Sequence, residues 1–221
     1  MSKLLHIETA TTTCSVAVSD NEHCLAMVEQ NNSGYSHAEQ LQGFIHQALK
    51  QAHLSMNQLD AVAVSEGPGS YTGLRIGVAT AKGLCYALDL PLIKVSTLEN
   101  LARQISNFEL IIPLIDARRN EVYASVFDHE YNEIKSPHTE ILTYNSFEEY
   151  CNNKQVIFIG NAVDKWQSIS ESRYEYSDAM PSAKDMIKSA YHAYYQKQFV
   201  DIAYFEPYYL KDFIAGPPKA Q

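Results

Sequence analysis

The chain has 221 residues, 46% of them hydrophobic and 19% charged. With 17 Lys+Arg against 26 Asp+Glu its net charge is −9, which argues against the chain gripping a nucleic-acid backbone on its own, since phosphate contact is made mostly by Lys and Arg. A subunit that helps another protein hold RNA stays open. No apolar run reaches the ~18 residues of a membrane span, no signal-peptide pattern precedes the first strand pattern, and Cys14, Cys24, Cys85 and Cys151 form no C-x-x-C pair. The expectation is a cytoplasmic chain with free thiols and no membrane partner.

Residues 4–9, 14–19 and 24–29 read as three consecutive strands, the last two joined by a hairpin-type turn at Asp20-Asn21-Glu22. Cys14 and Cys24 are expected to be small core residues within them. The intervening loop, Thr9-Ala10-Thr11-Thr12-Thr13, crowds hydroxyls and backbone N–H groups at a strand end. Ser36 and Glu39 have the spacing of a capping box, and Leu41, Phe44, Ile45, Ala48, Leu49 and Ala52 recur at helical steps. His37, His46 and His53 offer no pair four apart, so they are read as polar-face residues rather than metal ligands.

A β-branched run at 61–64 leads into Gly67-Pro68-Gly69-Ser70 and a helix rich in small residues to about position 88. A strand at 90–95 and a capping box at Ser96 and Glu99 follow. The resulting β-β-β-α-β-α-β-α order predicts a mixed sheet flanked by helices. Ser106-Asn107 marks a boundary between an N-terminal lobe, 1–105, and a C-terminal lobe, 106–221, whose last residues return to the first lobe. The second lobe shows strands at 110–116, 121–127, 140–143 and 156–160, a short helix near Ser146 with Glu149 at capping-box spacing, and a last helix from Pro181 through Met186, Ile187, Ala190, Ala193 and Tyr194. Both halves open on consecutive strands, the pattern of a duplicated fold.

The glycine turn admits two readings. As a phosphate cradle it fails on spacing: Leu74 stands where a P-loop needs Lys, and Gly67, Gly69 and Gly73 miss the dinucleotide fingerprint. As a packing device it fits, because Gly73, Gly77, Thr80 or Ala81, and Leu84 form a small-residue stripe. Another element can approach such a stripe at the near end of the roughly 8–10 Å interhelical range. That element is the lobe's own sheet, the 37–52 helix, or another protein. Asp116, at a strand end, is the best candidate base for a stand-alone ATP-dependent phospho- or acyltransferase. The plainer reading is a turn carboxylate capping Arg118-Arg119-Asn120. No Ser–His–Asp order or H-E-x-x-H supports a peptidase.

Residues 5–18, 67–77 and 115–124, with Ser36-His37-Ala38-Glu39-Gln40-Leu41 and the tail Pro207-Tyr208-Tyr209-Leu210 less specifically, resemble the TsaB family of bacterial tRNA threonylcarbamoyladenosine biosynthesis proteins. The resemblance implies a two-lobed α/β fold of the actin, sugar-kinase and heat-shock-ATPase type. It also implies a role as non-catalytic partner of a TsaD-like subunit, which transfers threonylcarbamoyl to the adenosine beside the anticodon, with a TsaE-like ATPase joining and tRNA touched only indirectly. Catalytic relatives carry two histidines four apart in a run like Val-Asn-His-Leu-Glu-Gly-His. Here Thr97 and Leu101 take those places, poor or impossible metal ligands. Thr12 stands where the relative has an Asp able to help hold Mg²⁺–phosphate, and Gly160-Asn161-Ala162 resembles a remnant of an adenosine-facing turn. No catalytic residue, metal or cofactor is therefore expected. The resemblance places the partner interface on the 37–52 and 73–88 helices, at Leu41, Phe44, Ile45, Ala48, Gly73, Gly77, Thr80, Ala81 and Leu84. The same face would form a homodimer when the partner is absent.

Overall fold

The computed structural model describes residues 2–31, 37–152 and 154–211. The chain forms two five-stranded sheets with the same internal order. In the first, β1 (Lys3–Glu8), β2 (Thr13–Asp20) and β3 (His23–Asn31) run antiparallel, and β4 (Ala61–Gly67) and β5 (Leu92–Ser96) add in parallel on the other side of β1, giving β3-β2-β1-β4-β5. In the second, β6 (Leu110–Asp116), β7 (Glu121–Asp128), β8 (Glu133–Ile141), β9 (Val156–Ile159) and β10 (Glu175–Ser177) repeat the scheme as β8-β7-β6-β9-β10. The helices repeat it too. α1 (His37–Gln51), α2 (Tyr71–Leu88) and α3 (Thr97–Ala102) stand to the first sheet in chain order as α4 (Glu148–Cys151), α5 (Val163–Ile169) and α6 (Ile187–Tyr195) stand to the second. The duplication is plain in topology.

Period-two alternation decides which helices cover which face. Leu5, Ile7, Val62 and Val64 face α1 and α2, while Leu4, Ala61 and Ala63 face the α6 region through Ala183, Met186 and Ala190. Small residues on that second face suit a helix arriving from the far end of the chain. α3 packs in return on the second sheet, with Leu98, Leu101 and Ala102 against Ile111, Ile115 and Ile159. Each lobe thus lends its last helix to the other. Among the described residues, no helix is long and apolar enough to cross a membrane.

Several expectations are corrected. β8 runs from Glu133, well before the predicted 140–143. It is an edge strand, half-exposed and containing Pro137, and an edge tolerates proline because it needs hydrogen bonds on one side only. α5 and β10 were not predicted: they are short, and β10 is only three residues long. The Ser146/Glu149 box does not form. Phe147 is the helix N-cap, in a left-handed conformation, and the Ser146 hydroxyl donates to Glu140 at 2.9 Å. At α3 only half of the box exists: Ser96 Oγ accepts from Glu99 N, but the Glu99 carboxylate turns to Arg103 and Ser189, both at 2.8 Å. Cys24 is exposed on edge strand β3 rather than buried, whereas Cys14 is in the core. The Ser36 cap lies outside the described residues.

The second lobe is centred on Trp166, fully buried, whose ring lies 5.6 Å from those of Phe147 and Phe158 and 6.1 Å from Tyr174. Trp166→Ala is expected to cost about 3–5 kcal/mol, measured by urea unfolding.

Candidate functional site

The glycine turn lies directly on the β1–β2 loop. A Cβ at Gly69 would meet Ala10 O, one at Gly73 would meet Thr9 O, and one at Gly77 would meet the Thr9 hydroxyl, each well inside the 3.0 Å that Cβ atoms keep. Hydrogen bonds close the same contact: Ser70 N donates to Ala10 O at 2.6 Å, and Thr9 Oγ1 donates to Gly73 O at 2.8 Å. At the start of α2, Gly73 N donates to Ser70 Oγ and Leu74 N to Ser70 O. These amides serve the chain itself, so the packing reading holds over the phosphate cradle. His37, read as a polar-face residue, is instead 2% exposed, with its Nε2 2.8 Å from Thr11 O. It clamps the loop from the α1 side, and burial lowers its pKa.

Behind the loop is a polar cluster at the junction of the lobes. Glu8 is fully buried and accepts from Ala10 N and Asn100 Nδ2, both at 2.8 Å. Ser65 Oγ and Thr97 Oγ1 are 2.6 Å apart, and both residues are buried. No ion pair reaches Glu8 among the described residues. Burial therefore pushes its pKa up from 4.5 to about 7, against hydrogen bonds from Ala10, Ser65, Asn100 and Thr9 that pull it down. Thr97 and Leu101 both point into packed interior, and among the described residues no group of His, Cys, Asp and Glu could hold a metal ion. Thr12 Oγ1 donates to Asn31 at 2.8 Å.

Across the lobes, Asp116 is tied down. Its Oδ1 accepts from Arg118 N and from Lys165 Nζ, both at 2.7 Å, and its own N–H donates to Asn161. This is the turn-carboxylate geometry, with a lysine partner that sequence reasoning missed. Gly160 has φ +130°, and a Cβ there would collide with Leu114 O, so backbone packing alone requires the glycine.

The predicted interface residues divide into two sets. Leu41, Ile45, Ala48, Gly73, Gly77 and Ala81 are buried, the first three and Ala81 in the core between α1, α2 and the first sheet. The close approach that Gly73 and Gly77 permit is intramolecular, to Thr9. Phe44, Thr80 and Leu84 keep partial exposure, Phe44 and Leu84 while packing against that core. Two residues not singled out from the sequence lie on the same two helices: Gly43 and Gly83 are exposed, and nothing lies within 4 Å of where their Cβ would be. A tally of helix positions that no contact within the chain requires to be glycine would have found them.

Residues 31–212 match the family of TsaD, tRNA N6-adenosine threonylcarbamoyltransferase. The protein of Haemophilus influenzae named tRNA threonylcarbamoyladenosine biosynthesis protein TsaB is 30% identical, over 95% of this chain and 93% of that one. A solved Pseudomonas aeruginosa protein, described as uncharacterized with similarity to peptidase YeaZ, superposes with a TM-score of 0.83 at 25% identity, over 96% of this chain and 100% of that one. The activator of 2-hydroxyisocaproyl-CoA dehydratase from Clostridium difficile, solved with bound ADPNP, superposes with a TM-score of 0.53 at 10% identity, over 89% of this chain and 96% of that one. That last likeness is one of fold alone, the two-lobed α/β architecture described above.

Two measurements follow from the geometry. Gly77→Leu is expected to disrupt the first lobe itself, by several kcal/mol as for other overpacked sites, and thermal melting reads the loss directly. Glu8 binds its proton more tightly when folded than unfolded, so it contributes stability at low pH that is lost as pH rises from about 4.5 towards about 7. Glu8→Gln removes that dependence. Its unfolding free energy is expected to rise relative to the native chain across the same window, by on the order of 3 kcal/mol, and denaturant titrations at several pH values test this.

Proposed function

The chain belongs to the TsaB family of tRNA threonylcarbamoyladenosine biosynthesis proteins, and on that premise we propose that it is a non-catalytic subunit of the modifying complex. It binds and supports a TsaD-like catalytic subunit, which transfers threonylcarbamoyl to the adenosine next to the anticodon. A TsaE-like ATPase joins the pair, and tRNA is held indirectly. The acidic balance of the chain supports the last point, since phosphate contact calls for Lys and Arg.

The observation that carries the proposal is the outer face of α1 and α2. A glycine inside a helix costs about 1 kcal/mol relative to alanine. Gly73 and Gly77 have a reason within the chain, but Gly43 and Gly83 meet nothing. Close approach by a second chain supplies the missing reason, with half-buried Phe44, Thr80 and Leu84 as the apolar contact. The same face serves a homodimer when the catalytic subunit is absent. Support for the lack of catalysis comes from Thr97 and Leu101, both buried, and from Asp116, engaged by Lys165.

The test exploits the open glycines. Gly83→Arg is expected to leave the melting temperature unchanged or raised, because arginine is the better helix former. It is also expected to weaken co-purification with the TsaD-like subunit by at least about tenfold and to lower tRNA modification in the reconstituted system. Unchanged affinity would remove the interface assignment. ATP turnover by the purified chain that disappears in Asp116→Ala would instead favour a stand-alone transferase.

A further inference from the structure

The segment that follows α6 carries a second surface on the first lobe, lined by residues other than those of the proposed α1–α2 contact. The segment after α6 folds back along β5 and borders an open, shallow groove of about 450 Å³ with the ends of β4 and β5. Two backbone hydrogen bonds and one from a lysine side chain hold this wall in place. Val200 N donates to Leu92 O at 2.9 Å, Tyr208 N donates to Glu66 O at 2.7 Å, and Lys82 Nζ donates to Phe205 O at 2.9 Å. The groove is therefore formed before any ligand arrives, and a ligand need not order it.

Its lining is aromatic and acidic. Tyr204 is 84% exposed and Tyr208 42%, although each has a large apolar ring. Glu66, Asp201 and Glu206 also line the groove, and its single cation, Lys94, is already paired with Glu66 at 2.9 Å. Two carboxylates remain in excess, and Glu206 makes no ion pair among the described residues. Tyrosine faces next to carboxylates bind guanidinium and ammonium groups. The chain uses this chemistry beside the groove: Arg75 lies 4.9 Å over the Tyr71 ring, which sits 5.0 Å from the ring of Tyr209, a lining residue. Phosphates would be repelled by the same carboxylates, so the charge favours a protein segment over RNA.

We propose that this groove is a docking site for an extended Arg- or Lys-bearing segment of a partner protein, with cationic side chains set between Tyr204, Tyr208 and the carboxylates of Asp201 and Glu206. The probe is a fluorescein-labelled tetra-arginine peptide followed by fluorescence anisotropy on the full chain at moderate salt. Both Glu206→Lys and Tyr204→Ala are expected to weaken binding about five- to tenfold. Both positions are exposed, so unchanged melting should accompany the loss. Glu130→Lys, in the distant β7–β8 turn, is expected to change it less than about twofold. Equal loss in Glu130→Lys would reduce the effect to overall charge and overturn the proposal. So would absence of tetra-arginine binding, or equal or tighter binding of tetra-glutamate or an oligouridine. Failure here leaves the Gly43 and Gly83 reading untouched, and neither glycine lines this groove, so the two readings fail separately.

Discussion

The first lobe depends on the missing side chains of Gly69, Gly73 and Gly77. Their absence lets α2 lie on the β1–β2 loop closely enough for Ser70 N to reach Ala10 O and for the Thr9 hydroxyl to reach Gly73 O. His37 closes the loop from α1 through Thr11 O. One contact thus joins the end of the first strand, both helices of the outer layer and the glycine turn. A Cβ at Gly69 or Gly73 would push α2 off the loop, because the backbone oxygens it meets have no rotamer by which to move aside, and at Gly77 it would meet the Thr9 side chain that is held by its bond to Gly73 O.

The two lobes are bound together by exchange. α3 belongs in sequence to the first sheet and packs on the second; α6 follows the second and packs on the first. The apolar face that each helix must bury is supplied by the other lobe, so neither sheet is covered on both sides by its own segment alone. Relative motion of the lobes has to carry these helices along.

The exchange also explains the setting of Glu8. Asn100 rides on α3 and brings its amide to a carboxyl at the end of β1. The site is fully buried and, among the described residues, makes no ion pair, and neutral donors alone do not offset the cost of a buried charge. The carboxyl therefore holds its proton up to near-neutral pH. A group at the strand end facing the other lobe has here become a packed polar contact. Asp116, on the opposite lobe, is neutralised in a different way, by Lys165.

Much of this was legible in the residues. Apolar and β-branched runs marked eight of the ten strands, most of them buried on both faces, and three- and four-residue steps marked α1, α2 and α6, which bury one face each. The motifs resembling the TsaB family pointed to the two-lobed fold. β8 escaped because an edge strand with a proline has no buried face to enforce alternation, and α5 and β10 were too short to show a period. Cys24 was misplaced for the same reason: alternation in β3 does not reveal that the strand is an edge. What the sequence by itself determined was which residues share a face of α2 and that the face is built for close approach. Only the tertiary structure decided what approaches it. Helical periodicity groups Gly73 with Gly77 without saying whether Thr9 of the same chain or a second chain fills the space they leave. The folded chain assigns those two glycines to Thr9 and leaves Gly43 and Gly83 open to solvent.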